Sequence, residues 1–190
     1  MTFPITPIDA NAFANGWRLE WTDGCPLNVN DQFNALTARY DFPDGQAVTI
    51  DVDGPAVFFN QCGGNFGFIG GFSDGDFLIQ GDNQAGRMPV HLIFENPVRA
   101  VGAAVGVVGG GGWGSRYTTQ MWVRLDGQPE WWPVTSLLVK SQAFETTPFL
   151  GARANAGEAG IKQVYFDAMG SSNRVPVAAQ IAINDLHVLD

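Results

Sequence analysis

The chain has 190 residues, enough for one domain with a sizeable core. Nineteen acidic against ten basic residues give a net charge of −9, with no basic stripe. That balance argues against a nucleic-acid partner or an anionic lipid surface. A hydrophobic content of 45% with 24 glycines and 11 prolines suits many short strands joined by turns. The longest apolar run, 98–108, is too short for a bilayer-spanning helix and is interrupted by glycine, so no membrane insertion is expected. Met1-Thr2-Phe3-Pro4 lacks the basic and apolar blocks of a signal peptide; the chain is read as either not exported or starting after a removed signal.

Residues 1–33 contain Pro4, Pro7 and Pro26 and little periodicity, and are expected to form an irregular segment packed on the rest. Within them Trp17, Leu19 and Trp21 alternate with Arg18 and Glu20, suggesting a short strand. Leu36, Ala38, Tyr40 and Phe42 form one strand face, and Val48, Ile50 and Val52 the next. The Pro43-Asp44-Gly45 turn signal makes these a hairpin. The glycine-rich stretch 54–75 has no clear period, whereas 76–80 and 89–94 read as strands.

The strongest period-2 signals come next. Val101, Ala103, Val105 and Val107 share one parity against Ala100, Gly102, Ala104 and Gly106. Tyr117, Thr119, Met121, Val123 and Leu125 oppose Thr118, Gln120, Trp122 and Arg124. The two runs read as neighbouring strands joined by a loop of five glycines around Trp113. Asp126-Gly127 marks a turn, followed by an alternating set at Trp132, Val134, Ser136 and Leu138 and a further strand at 161–168.

In the last run, Ile181 and Ile183 have one parity and Leu186 and Val188 the other, so a one-residue bulge near Asn184-Asp185 would bring all four to one side. With roughly eight to ten strands and no helical crossovers, the pattern predicts an all-β, antiparallel sandwich in a single domain over 1–190.

Four chemistries are compatible with the residues. Trp113, Trp122 and the Trp131-Trp132 pair could stack on sugar rings, with Arg116, Thr118, Gln120 and Arg124 supplying hydrogen bonds. Against this, any one tryptophan more often packs than binds, except Trp113, to which a loop of five glycines offers little to pack against. Trp122 could fill the space over Gly102 and Gly106, and alternation turns one of Trp131 and Trp132 inward. Arg116 beside Trp113 would favour an acidic sugar.

A structural Ca²⁺ could be held by Asn184, Asp185, Asp74 and Asp76, with Asp51 and Asp53 also available, although Asp and Asn beside glycine are commonly turn formers. Gly71-Phe72-Ser73-Asp74-Gly75 matches G-x-S-x-G, but a strand rather than a helix follows it, so a serine hydrolase is not favoured. Paired carboxylates for glycan cleavage could come from Glu20, Glu95, Glu130, Glu145 and Glu158, with no pair singled out. His91 reads as a strand surface residue and His187 as a hydrogen-bond partner for Asp185. Cys25 and Cys62 either pair or remain free thiols; spacing alone does not decide.

The stretches Gly75-Asp76-Phe77-Leu78-Ile79, Leu92 to Ala103, Leu125-Asp126-Gly127, Pro148 to Ala152, Ile161 to Asp167 and Ile181 to Leu186 resemble a family of bacterial exported β-sandwich proteins. These are often found ahead of a C-terminal sorting and anchoring segment. The resemblance covers roughly residues 75–190. It implies a jelly-roll fold of the kind used for carbohydrate binding, and an extracellular or cell-surface location. Taken together, a non-catalytic glycan-binding module is the leading expectation. A glycan-active hydrolase or lyase on the same fold stands second, and a structural protein without ligand third; the oligomeric state stays open.

Overall fold

The computed structural model describes residues 3–19, 32–33, 36–41, 46–52, 56–60, 72, 77–83, 88–109, 116–140, 147–170 and 179–190. These form two antiparallel sheets packed face to face. The strands are β1 (Ile5–Ile8), β2 (Trp17–Leu19), β3 (Gln32–Phe33), β4 (Leu36–Asp41), β5 (Ala47–Val52), β6 (Ala56–Asn60) and β7 (Phe77–Asn83). They continue with β8 (Val90–Val98), β9 (Ala100–Gly109), β10 (Arg116–Leu125), β11 (Trp131–Lys140), β12 (Phe149–Ala154), β13 (Ile161–Gly170) and β14 (Ala179–Leu189). The one helical element among the described residues is a 3-10 turn at Ala10–Phe13, capped by the Asp9 carboxylate, which accepts from the Asn11 N–H at 3.0 Å. No helix among the described residues is long and apolar enough to cross a membrane.

One sheet runs β1-β12-β9-β14-β7-β6-β3, with β2 paired to β14; the other runs β11-β10-β13-β8-β5-β4. Within them, β7-β14-β9-β12 faces β8-β13-β10-β11, so consecutive strands from β7 to β14 weave between the sheets in the order of a jelly roll. Residues 3–19 are less irregular than the composition of the N-terminal segment suggests. β1 extends the larger sheet by pairing with β12, and β2 pairs with the end of β14.

The same topology changes the expected relation of the two central strands. β9 pairs with β12 and β14, whereas β10 pairs with β11 and β13, so these consecutive strands lie in different sheets. Trp122 therefore does not cover Gly102. That space is taken by the Phe149 ring, since a Cβ at Gly102 would come within 2.6 Å of it.

The inner faces supply the core. Val101, Ala103, Val105 and Val107 of β9 meet Tyr117, Met121, Val123 and Leu125 of β10, together with Leu92, Phe94, Val164 and Phe166. Each of these alternates with a residue of the opposite parity, as the period of a strand requires. Ile181, Ile183, Leu186 and Val188 all join this core. Their parity conflict is resolved by a bulge: from Ile183 to Leu186 β14 advances three residues while β9 advances two, from Val105 to Ala103.

On the larger sheet, the patch of outer face beside Gly102 is covered. Phe13, 5% exposed, packs edge-on against Phe149 at 5.7 Å and against His187 at the same distance. Phe149 and His187 contact each other at 5.4 Å. The 3-10 turn thus covers that patch.

Close approach of β1 to β12 depends on Gly151, where a Cβ would meet the Ile8 carbonyl oxygen at 2.7 Å. Replacing Gly151 with Ala should cost about 1–3 kcal/mol by overpacking. Urea denaturation should register that loss, and hydrogen exchange should show β1 opening before the rest. Unchanged stability and protection would contradict this packing.

Candidate functional site

The outer face of the smaller sheet is built differently. On β10, Thr118, Gln120, Trp122 and Arg124 point away from the core and are half-buried, because Tyr117, Thr119, Met121, Val123 and Leu125 occupy the inner parity. The neighbouring strands bring matching residues into register. Gln120 stands opposite Asp167, Trp122 opposite Tyr165, and Arg124 opposite Gln163 on β13. Tyr165 is in turn opposite His91 on β8, and His91 opposite Asp51 on β5. On the other flank Arg124 faces Trp131 of β11.

These side chains form one aromatic row. The Trp122 and Tyr165 rings lie parallel, 10° apart with centroids at 6.0 Å. Trp131 reaches across β10 to meet Tyr165 edge-on at 4.9 Å and His91 at 6.0 Å. The Arg124 guanidinium carbon sits 5.1 Å from the centre of the Trp131 ring, a cation–π geometry. Trp132, one residue on, turns inward and packs against the core, as alternation requires.

Polar contacts hold the row in place. The Trp122 indole N–H donates to Asp167 Oδ2 at 3.2 Å, and His91 Nε2 bonds Gln163 Oε1 at 3.0 Å. Asp167 is only 8% exposed, and its second oxygen, Oδ1, has no hydrogen-bond partner among the described residues. Burial pushes its carboxyl up to about 6, against a partial offset from the Trp122 bond. Burial also raises the Tyr165 hydroxyl to about 12, with the Asp167 charge adding to it. His91 is pulled below the ordinary histidine value, chiefly by burial and further by Arg124, while Gln163 and Asp51 oppose the shift. His187 under Phe13 is lowered by burial and by Arg18. Both rings are therefore neutral at pH 7.

The chain matches no protein-family model and no curated protein. The site is therefore argued from its geometry.

Of the residues singled out in the sequence, Thr118, Gln120, Trp122 and Arg124 share this face. Arg116 begins β10 opposite Lys140, with only its backbone described, and Trp113 lies outside the described residues. Cys25, Cys62, Asp53, Asp74, Asp76, Glu20, Glu145 and Ser73 also lie outside them. Asp185 is on the other sheet, where the Arg18 guanidinium pairs with its carboxylate. Its expected partner His187 is instead packed between Phe13 and Phe149. Among the described residues no three His, Cys, Asp or Glu side chains converge as a metal site. Glu95 is exposed and paired with Arg39 at 2.7 Å.

Sequence reading passed over Tyr165, Gln163 and Asp167. Their parity against Val164, Phe166 and Ala168 was visible, but nothing local shows that β13 lies beside β10.

Two outcomes follow from the electrostatics. NMR titration of the two histidines should give midpoints below 6.5 for both. A lowered folded pKa means that their stability contribution is fully present above the unfolded value and is lost as pH falls through the folded midpoints. Asp167 has the opposite sign: its contribution is fully present below 3.8 and lost as pH rises through about 6. Asp167→Asn should accordingly stabilise the fold at pH 7.5, by up to about 3 kcal/mol, with the gain vanishing near pH 4. Equal gains at both pH values would show that ionisation of Asp167 is not the cause.

Proposed function

We propose that this protein is a non-catalytic glycan-binding β-sandwich whose ligand lies along the outer face of the smaller sheet. The observation that carries this reading is the row of Trp122, Tyr165 and Trp131, half-exposed and ringed by Arg124, Gln163, Gln120 and Asp51. Sugar rings offer flat C–H patches to aromatic faces and hydroxyls to flanking polar groups, and this face has both. On the other sheet, the aromatic rings of Phe13 and Phe149 pack on each other, whereas the rings of the smaller sheet's row are half-exposed. An extracellular or cell-surface location belongs to the same reading and rests on the resemblance of residues 75–190 to exported sandwich proteins.

The experiment is affinity electrophoresis through a panel of neutral and acidic polysaccharides, comparing the wild type with Trp122→Ala and Trp131→Ala. At least one polymer should retard the wild type, and each substitution should weaken that retention tenfold or more with the fold intact by circular dichroism. Retention that survives both substitutions, or no retention by any polymer, would overturn the reading.

A second reading, cleavage of a glycan at the same face, draws on Asp167, whose carboxyl is raised to about 6 as a general acid's would be. Release of new reducing ends, abolished in Asp167→Asn, would favour it over binding alone.

Calcium enters as a structural element of the same proposal. Arg18 already meets the Asp185 charge, so a cation would draw on Asn184, Asp74 and Asp76. Chelation should then lower the melting temperature by several degrees, and an unchanged melting temperature would sink the ion.

A further inference from the structure

Arg124 differs from Arg18 and Arg39 in how its charge is met. Arg18 pairs with Asp185, and Arg39 is held between Asp41 at 2.9 Å and Glu95 at 2.7 Å. Arg124 has no carboxylate partner among the described residues; it lies against the Trp131 ring. A guanidinium over an aromatic face keeps its planar fork of N–H donors at the edge, and a carboxylate is the group that satisfies such a fork with two parallel bonds.

The residue opposite it on β13 adds to the same preference. Gln163 is the register partner of Arg124, and its Oε1 is bonded to His91 Nε2. An amide oxygen can only accept, so the His91 ring N–H donates to it. The amide N–H₂ of Gln163 is thereby left as a donor with no partner among the described residues. The donors of Arg124 and Gln163 thus come from adjacent strands, beside the Trp131 and Tyr165 rings.

We propose that Arg124 and Gln163 select a sugar bearing a carboxylate, so that the ligand of the aromatic row is a uronic-acid-containing glycan. This inference rests on the row being a glycan platform and names the class of glycan it takes. The carboxylate would bridge the guanidinium fork and the Gln163 amide while the sugar ring lies against the neighbouring aromatic faces. Of the carboxylates on this face, Asp51 lies beyond His91 and Asp167 is buried. The chain as a whole carries −9 and repels a polyanion at long range. Retention of an acidic polymer by this protein therefore depends on local, directional contacts, not on a diffuse attraction.

The test compares polygalacturonate with its fully methyl-esterified form, two polymers of one backbone that differ in the charge of the carboxyl group. Both are used at 0.15 M salt with the full chain. The wild type should bind the acid form at least tenfold more tightly than the ester. Arg124→Gln should bring that ratio close to one. Arg124→Lys should leave an intermediate ratio, since an ammonium keeps the charge and loses the fork. Equal binding of acid and ester by the wild type, a preference for the ester, or an undiminished acid preference in Arg124→Gln would overturn the inference. So would retention by neither polymer. In each case the aromatic platform is judged separately, by whether Trp122→Ala and Trp131→Ala abolish retention on whichever polysaccharide of the wider panel binds.

Discussion

The dry interface between the two sheets is the constraint from which the rest of the structure follows. Phe94, Phe166, Leu92, Ile50, Ile79 and Met121 are fully buried there, and truncating any one of the larger of them would cost a few kcal/mol in transfer and cavity terms together. A domain is stable by only about 5–15 kcal/mol, so none of these inner-facing positions is free to change parity. Because side chains alternate along a strand, fixing the inner face fixes the outer one. Trp122 and Arg124 face outward because Met121, Val123 and Leu125 must face inward. Where the pattern slips, at Asn184-Asp185, β14 takes up the extra residue as a bulge and keeps its four large aliphatic side chains in the core.

The two outer faces then diverge. On the larger sheet, small residues such as Gly102 and Gly151 leave room that Phe149 fills, and the capped 3-10 turn lays Phe13 over it. On the smaller sheet the outer residues are large, aromatic and polar, and four strands bring them together in register. Arg39, Asp41 and Glu95 form an exposed ion-pair group at the β4 side, of the kind that contributes little to stability in water. The aromatic row is a different kind of surface. Its rings restrain one another, its tryptophan is tied to a carboxylate, and its histidine is tied to a glutamine.

Asp167 shows the cost of that arrangement. A carboxylate held 8% exposed with one oxygen unpaired weakens the fold at neutral pH. What it provides is an acceptor for the Trp122 indole, which orients that ring alongside Tyr165. A site whose local geometry opposes stability is a common signature of function, and it is this conflict, more than the presence of tryptophans, that separates the smaller sheet's outer face from ordinary surface.

Much of the fold was legible in the chain itself. Period-2 runs at 101–107 and 117–125 located two strands and sorted their faces, and the Pro43-Asp44-Gly45 signal between two alternating runs located the β4–β5 hairpin. The parity conflict in the last run located the bulge. These are local properties, written in residues within a few positions of each other.

Strand partners are another matter. That β9 and β10 part into different sheets, that β13 lies between β10 and β8, and that Phe149 rather than Trp122 covers Gly102 all depend on contacts between distant segments. Part of the candidate site, Gln120, Trp122, Arg124 and Trp131, could be read from the sequence. The rest, Tyr165, Gln163, Asp167 and His91, became visible as site residues only when tertiary structure set β13 and β8 beside β10. The sequence by itself determined which way each side chain faces, because that is set by the pleat of a single strand. Which side chains meet was decided by the pairing of strands far apart in the chain, where the burial of two whole sheets selects the register.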